Sequence, residues 1–210
     1  MPRQREFDRE AALARAMDAF WTKGYAATSV EDLVDRMRIQ RGSLYATFGD
    51  KRSLFLHALE RYQRVVAREL LEALEAPGSG LAAIRRFFRL RVERALDRSR
   101  PPGCLVTNSA VELARRDPGA ADRVGGSLAR LDTAFLGALE RARAQGELAP
   151  TRDLRALARF LTSSAQGLSV MAKAFPERRV LEDIVQVILA AVGPGSAAPP
   201  GKRPGNPRER

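Results

Sequence analysis

The residues with the clearest chemical potential lie in a short segment that begins at Gln40. Four consecutive polar or small residues, Gln40, Arg41, Gly42 and Ser43, precede the apolar Leu44. At the start of a helix, such residues suit the major groove of DNA, because glutamine pairs with adenine, arginine pairs with guanine, and glycine lets the backbones approach closely. The segment therefore predicts a helix that reads base edges.

Two short helices are expected to position this segment. Thr28 and Glu31 have the spacing of a capping box, which predicts a helix from there to about Met37. A turn follows, and a second short helix begins near Gln40. Together with a first helix that ends at Gly24, they predict the three-helix arrangement of a DNA-binding helix-turn-helix.

Hydroxyl and amine groups around this motif are suited to phosphate contacts. Tyr45 and Thr47 lie on the reading helix. Thr28 lies at one helix N-terminus and Lys51 at the next, where free N–H groups and the helix dipole favour an anion. Such contacts set register rather than sequence preference. The predicted DNA-binding residues are Thr28, Ser29, Gln40, Arg41, Gly42, Ser43, Tyr45, Thr47 and Lys51.

Two stretches carry a resemblance to a known family. They read Ala-x-x-x-Phe-Trp-x-x-Gly-Tyr-x-x-Thr-Ser-Val-x-Asp-Leu at 16–33 and Arg-Gly-Ser-Leu-Tyr-x-x-Phe-Gly-Asp-Lys-x-x-Leu-Phe at 41–55. This pattern resembles the signature of the TetR family, closely from residue 6 to about 66 and only in outline beyond. The resemblance implies a helix-turn-helix domain, a fourth helix leading into a helical ligand-binding domain, and a homodimer that represses transcription until an effector binds.

The turn of the motif departs from the family pattern. Where the family commonly has Ala-Gly, this chain has Met37-Arg38. We therefore expect either a non-glycine residue at positive φ or a reshaped turn. Operator preference cannot be transferred from relatives.

Composition and charge agree with an all-α nucleic-acid-binding protein. The chain has 210 residues, is 45% hydrophobic and 6% aromatic, and carries a net charge of +11. Abundant Ala, Leu, Arg and Glu favour helix, and the positive charge favours a polyanionic partner, although an arginine bias also arises from genome composition. We expect about nine helices, forming an N-terminal three-helix bundle and a larger C-terminal bundle.

Glycine and proline breaks divide the sequence into segments. Together with these breaks, the resemblance implies a DNA-binding domain at 6–66, with the recognition motif at about 28–48, and a ligand-binding and dimerisation domain at 79–192. The basic residues 193–210 hold too little apolar surface to offset the entropy of ordering, and are expected to be a disordered tail.

The predicted effector pocket combines aromatic and polar residues of the C-terminal half. An aromatic set at helical spacing is also typical of plain core, and that alternative stays open. The candidates are Phe87, Phe88, Arg91, Cys104, Asn108, Phe135, Phe160, Gln166, Met171 and Lys173.

Cys104 is a candidate sensor for electrophiles or oxidants. It follows a Pro-Pro-Gly break at the expected start of a helix, where the dipole lowers a thiol pKa, and Lys173 is a candidate for the nearby cation. The segment 103–108 is similar to one found in a TetR subgroup with some electrophile- or oxidant-responsive members. A lone cysteine is also often a small buried hydrophobe, and without a second cysteine there is no resolving thiol.

The last two long helices, at about 152–175 and 177–192, resemble the pair that forms the dimer interface in the family. Periodicity marks an apolar face without naming its partner, so burial within one subunit and burial across the dimer are equally compatible with the pattern. The interface candidates are Leu154, Leu157, Leu161, Leu168, Ile184 and Ile188.

Other functions find little support in the sequence. One cysteine and one histidine provide no disulfide and no cluster for a metal or a catalytic triad. No catalytic motif, signal segment or membrane span is apparent, so a cytoplasmic protein without cofactor, metal or enzymatic activity is expected. The rivals are an enzyme, a non-specific basic DNA-binding protein and a transcriptional activator.

Overall fold

The structure is a computed structural model that describes residues 7–193. Helices form the framework throughout this range. This range contains no strand, so the all-α expectation is confirmed. Residues 194–210 of the predicted tail lie outside the described residues. The helices are α1 (Arg9–Lys23), α2 (Val30–Met37), α3 (Arg41–Phe48), α4 (Lys51–Arg61), α5 (Arg68–Glu75), α6 (Gly80–Leu96), α7 (Leu105–Leu113), α8 (Pro118–Ala144), α9 (Leu154–Ala174) and α10 (Arg178–Ala191).

The capping box of α2 lies one residue later than predicted. Ser29 caps the helix and exchanges hydrogen bonds with Asp32, so the assignment to Thr28 and Glu31 was wrong. Thr28 is fully buried, and its hydroxyl donates to the Gly24 carbonyl at 2.6 Å. Both pairs have capping-box spacing in the sequence, and the bond to Gly24 determines which pair forms the cap.

The turn between α2 and α3 contains the expected departure from ordinary backbone geometry. Arg38 has φ 58° and ψ 44°, in the left-handed region, and is the one non-glycine residue of 7–193 with positive φ. Gln40 precedes α3 as its N-cap. Leu44 is buried and Ile39 half-buried, so both contribute to the inward face of the motif.

A long helical segment connects the two halves of the chain. The Asp50 carboxylate accepts from the Ser53 backbone N–H at the start of α4. A π-helical turn at Tyr62–Val66 joins α4 to α5 without leaving helical backbone angles, so the described residues form nine helical segments. Arg94 Nη1 donates to the Val66 carbonyl at 2.6 Å and satisfies a carbonyl at this irregularity.

Two hydrophobic cores lie along this segment. The first is built from α1–α4, but it also includes Cys104 and Leu113 from α7 with its cap, and Val124 from α8. The second is built mainly from α5, α6, α8, α9 and α10. Helices of the C-terminal half therefore pack directly against the helix-turn-helix, without an intervening linker.

Membrane spans and metal clusters are both absent from residues 7–193. No helix there has the length and apolar character that crossing a membrane requires. No three His, Cys, Asp or Glu side chains converge there to hold a metal ion.

Candidate nucleic-acid interface and ligand cavity

The start of α3 presents its predicted base-reading residues to solvent. Gln40, Arg41 and Gly42 are all exposed. The Arg41 guanidinium lies 5.8 Å from the centroid of the Tyr45 ring and donates to Glu31 Oε1 at 2.8 Å. Both partners of this ion pair are more than half exposed, and such pairs contribute little to stability. Arg41 can therefore exchange Glu31 for a base edge at small cost.

Gly42 is exposed to solvent, and the fold does not require a glycine at this position. A Cβ built on Gly42 would meet no atom within 4 Å, and its φ is not positive. An alanine at this position would suit the helix better, because glycine destabilises helix interiors. The absence of a side chain instead suits close approach of another molecule to α3.

The residues flanking α3 differ in how well they suit a phosphate contact. Tyr45 is 41% exposed, and Lys51 Nζ lies 4.5 Å from the Tyr25 ring centroid at the α4 N-terminus. The Ser29 hydroxyl is exposed but occupied in the capping box. Thr28 is buried and its hydroxyl points inward to Gly24. It therefore cannot make the predicted phosphate contact. The half-buried members of the predicted set are Ser43 and Thr47.

A cavity in the C-terminal half contains the single cysteine. Of the predicted pocket residues, Phe87, Arg91, Cys104 and Gln166 line it. Its empty volume, counting the open mouth, is about 520 Å³. We call this space the thiol cavity. Tyr62 also lines it, and its hydroxyl donates to Cys104 Sγ at 3.3 Å.

Electrostatics around Cys104 favour the thiolate. Burial raises the pKa of the thiol, but the positive charge of Arg91 and the contributions of Tyr62 and Thr107 outweigh it, so the pKa lies below its usual value. Cys104 is also the N-cap of α7, as predicted. Burial and the neighbouring sulfur raise the pKa of Tyr62 well above its usual value, so Tyr62 remains a hydrogen-bond donor. The arrangement suits a reactive thiol.

The cation beside Cys104 is Arg91 of α6 and not Lys173, which was the predicted partner. Lys173 is exposed on α9. The side chain of Lys173 lies near the residue before Cys104, since a Cβ built on Gly103 would be 3.6 Å from Lys173 Cδ. Sequence reasoning gave no signal for this pairing, because which basic side chain faces the thiol depends on how the helices pack.

The other predicted pocket residues lie outside the cavity walls. Phe88 and Phe135 are fully buried and form an aromatic core cluster with Phe87, in which the Phe87 and Phe135 ring centroids are 4.8 Å apart. Phe160 is 41% exposed on α9 and faces away from the interior. Half-buried positions that do not line the cavity are Asn108 and Met171.

Helix α7 connects the thiol cavity to the helix-turn-helix. Cys104 caps its start, and Glu112 lies eight residues later, about 12 Å along the axis at 1.5 Å per residue. The Glu112 carboxylate accepts from the backbone N–H groups of Tyr25 and Ala26, at 3.0 and 2.6 Å, in the loop between α1 and α2. A change at the thiol therefore has a short physical path to the DNA-facing helices.

A second link joins the same regions. Arg52 of α4 makes two hydrogen bonds to Asp117 at the start of α8, of 2.5 and 2.9 Å. This interaction holds the pKa of the Asp117 carboxyl below its usual value. Sequence reasoning missed Glu112 and Asp117 because neither lies in a motif, and each acts on residues more than sixty positions away.

The predicted dimer residues are mostly used within the subunit. Leu154, Leu161, Leu168 and Ile188 are buried in the second core, so these four have no free apolar surface to offer a partner. The half-buried members are Leu157 and Ile184. The large apolar side chains that α9 and α10 expose are Phe160, Val170 and Val187.

Comparisons with known proteins place these features in context. A family model described as "Bacterial regulatory proteins, tetR family" matches residues 12–58, and one described as "Tetracyclin repressor-like, C-terminal domain" matches residues 80–188. The uncharacterized HTH-type transcriptional regulator YezE of Bacillus subtilis (strain 168) is 39% identical over 193 residues, which are 91% of this chain and 100% of the relative.

Two further relatives extend the comparison. The HTH-type transcriptional repressor ComR of Escherichia coli (strain K12) is 32% identical over 186 residues, which are 88% of this chain and 87% of the relative. A solved structure of the TetR family transcriptional regulator CifR, a cysteine mutant in complex with 26-bp double-strand operator DNA, is 34% identical. It covers 90% of this chain and 99% of its own, with a TM-score of 0.83.

Proposed function

Because the chain belongs to the TetR family of DNA-binding transcriptional regulators, we propose that it is a homodimeric repressor released from a palindromic operator by an electrophilic or oxidant effector. The DNA-binding part is assigned to 6–66 and the ligand-binding and dimerisation part to 79–192. The protein acts in the cytoplasm, where bacterial DNA lies.

One observation carries the DNA-binding assignment most directly. Helix α3 exposes Gln40 and Arg41 beside Gly42, where a Cβ would meet no atom within 4 Å. A surface of two base-reading side chains beside a position without a side chain suits the floor of a major groove. The complex of the CifR relative with operator DNA supports the same use of the fold.

The dimer surface is assigned to the exposed face of α9 and α10. Phe160 and Val170 lie on one face of α9 with Gly167 between them, and a Cβ on Gly167 would meet nothing within 4 Å. Val187 adds an apolar side chain on α10 that is 71% exposed. Large apolar side chains around a small residue allow two helices to approach closely, so a second copy of this chain fits this face.

The effector reaction is assigned to Cys104. Its lowered thiol pKa populates the thiolate, which is the form that bonds to an electrophilic carbon or reacts with a peroxide. Modification adds atoms to the thiol cavity and removes the acceptor of the Tyr62 hydroxyl. The state with modified Cys104 therefore favours a different packing around α7.

Coupling to DNA follows from the two ends of α7. An effector shifts the protein between two states only by its different affinity for them. A shift of α7 away from the thiol cavity moves Glu112 and the loop that it holds at Tyr25 and Ala26. This changes the position of the helix-turn-helix, and hence the spacing of the two α3 helices in a dimer.

DNA binding is tested by selecting genomic fragments with the purified protein. Fluorescence anisotropy then compares the enriched duplex with a scrambled one at several salt concentrations. We expect a preference of about a thousandfold or more for the enriched duplex, retained as salt rises. Selection without an enriched sequence, or equal affinity for both duplexes, would mean a non-specific binder.

Variants of α3 separate base reading from charge. Gln40→Ala and Arg41→Ala are expected to change which operator variants are preferred, at about 1–3 kcal/mol per lost base contact. Arg143→Ala, at an exposed position near the end of α8, removes the same charge as Arg41→Ala and is the matched control. Unchanged preference in both α3 variants would remove these residues from the assignment.

A further inference from the structure

A second cavity adjoins the thiol cavity and opens between the two halves of the chain. It is lined by Trp21 of α1 together with Tyr62, Arg91, Arg94 and Arg100, and its empty volume, counting the open mouth, is about 470 Å³. We call it the arginine cavity. Tyr62 and Arg91 line both cavities, so Arg91 lies at their junction.

The charges around the arginine cavity leave one cation without a carboxylate partner, although its charge also acts on the Cys104 thiol. No Asp or Glu is among its lining residues. Arg94 pairs with Glu69 and Arg100 pairs with Asp97, both outside the lining. Arg91 forms no ion pair with any residue of 7–193. The walls therefore match a ligand with a single negative charge.

Arg91 retains donors for such a ligand. Its Nη2 donates to the Ala165 carbonyl at 2.7 Å and to the Ser169 hydroxyl, which fixes the guanidinium between α6 and α9. A guanidinium has five N–H groups, and those on Nε and Nη1 have no acceptor within the described range. A half-buried, positioned cation with unused donors suits a carboxylate.

Trp21 supplies a second unused donor among the lining residues. The residue is 5% exposed, and its Nε1 has no hydrogen-bond partner among the described residues. Its ring packs edge-on against Tyr62, with centroids 4.9 Å apart, which holds the indole in place. Buried donors are nearly always satisfied, so this indole N–H is available to an acceptor that enters the cavity.

We propose that the arginine cavity binds a small organic monocarboxylate, whose oxygens accept hydrogen bonds from Arg91 and Trp21 and whose apolar part packs on Val66, Leu70 and Leu168. The ligand then contacts α1 of the helix-turn-helix and α6 of the C-terminal half simultaneously. Its occupancy restricts the relative movement of these helices. Only this regulatory consequence rests on the proposed function, since ligand binding itself needs no DNA.

Binding is tested on the free protein with matched pairs of probes. Benzoate and pentanoate carry the charge, and benzamide and pentanamide have nearly the same shape without it. Isothermal titration calorimetry measures affinity, and emission of Trp21, the one tryptophan of the chain, reports contact with the cavity. We expect at least one carboxylate to bind about tenfold or more tightly than its amide and to change the emission.

Variants assign the binding to the cavity. Arg91→Met keeps an apolar stem without the charge, and is expected to lose the preference for carboxylate over amide, whereas Arg91→Lys retains part of it. Arg89→Met, an exposed position on the same helix, is the matched control and keeps the wild-type preference. Trp21→Phe is expected to lower the affinity for the carboxylate by about threefold to tenfold, as measured by calorimetry.

Three results of the carboxylate and amide titrations would overturn the proposal. They are the absence of carboxylate binding to the wild type, equal affinity for carboxylate and amide, and an unchanged preference in Arg91→Met. Inorganic phosphate binding as tightly as the carboxylates would also overturn it, because phosphate has no apolar part. Because these assays contain no DNA, a failed operator assay with intact carboxylate binding would reject the proposed function alone.

Discussion

The Glu112 carboxylate accepts the backbone N–H of Ala26 at 2.6 Å, across 86 positions of the chain. It also accepts from Tyr25, and Gly24 beside them has φ 85°. A Cβ on Gly24 would lie 2.9 Å from Glu112 Oε2, so the glycine also makes room for this carboxylate. One side chain of α7 thereby fixes the loop between the first two helices of the DNA-binding unit.

Removing this carboxylate is expected to weaken operator binding more than it changes the overall fold. Glu112→Ala leaves two backbone N–H groups without their acceptor, and we expect a loss of about 1–3 kcal/mol in unfolding free energy and weaker binding to all duplexes. Glu112→Gln keeps one acceptor, and its stability and DNA affinity are expected to lie between those of the wild type and Glu112→Ala. Urea unfolding and anisotropy measure the two effects, with Glu140→Ala, exposed on α8, as the control. Wild-type operator affinity in Glu112→Ala would contradict the role of α7.

Gly42→Ala separates stability from DNA binding. Because a Cβ at Gly42 would meet no atom within 4 Å, alanine is expected to raise the unfolding free energy by about 0.5–1 kcal/mol. The same methyl group is expected to obstruct the major groove and lower operator affinity. Gly125→Ala, on α8 with equally open surroundings, is expected to gain stability without changing DNA affinity. Unchanged operator affinity in Gly42→Ala would exclude close groove contact there.

Arg38→Gly tests the left-handed turn of the helix-turn-helix. A residue with a Cβ at φ 58° is less favourable than glycine, so glycine at position 38 is expected to raise the unfolding free energy by up to about 1 kcal/mol. Arg36→Gly, inside α2, is expected to lower it by a similar amount. Thermal unfolding of the two variants measures both changes. A destabilised Arg38→Gly protein would mean that the arginine side chain makes a compensating contact.

The pH dependence of alkylation tests the environment of Cys104. Burial raises the pKa of this thiol, but the combined effect of Arg91, Tyr62 and Thr107 in lowering it is larger, so the net shift is downward. The thiolate is the reactive form, so the alkylation rate is expected to rise with pH and to reach half its maximum below the pKa of a free cysteine. Arg91→Met removes the positive charge and moves this midpoint to higher pH, and Tyr62→Phe does the same to a smaller extent.

Iodoacetamide labelling followed by mass spectrometry gives the rates, since Cys104 is the one cysteine of the chain. Lys173→Met is the control, because Lys173 is exposed and is expected to leave the midpoint where it is. A shift in Lys173→Met but not in Arg91→Met would reverse the assignment of the neighbouring cation.

Local sequence signals predicted the DNA-facing part well. The start of α3 after Gln40 and the unusual turn at Arg38, where the first of the two expected outcomes is found, each depend on a few adjacent residues. The α2 cap was displaced by one position because Thr28 and Ser29 both have an acidic residue three positions later. The bond from Thr28 to Gly24 that decides between them forms only when the loop is folded.

Long-range relationships were outside the reach of the sequence. Periodicity identified an apolar face that includes Leu161 and Leu168, but it could not distinguish one subunit's core from a dimer surface, and the core contains both. The sequence likewise suggested Lys173 as the cation near Cys104, whereas the packing of α6 against α9 fixes Arg91 in that role. Such pairings depend on which helices meet, which single-chain patterns do not specify.

The most direct test of the account is whether modification of Cys104 releases the operator. The protein is bound to a labelled operator found by genomic selection, N-ethylmaleimide is added, and anisotropy and intact mass are followed together. We predict that anisotropy falls to the value of free DNA as one equivalent of reagent is incorporated, and that Cys104→Ser stays bound. Full modification of the wild type with the operator still bound, or equal release of Cys104→Ser, would contradict it.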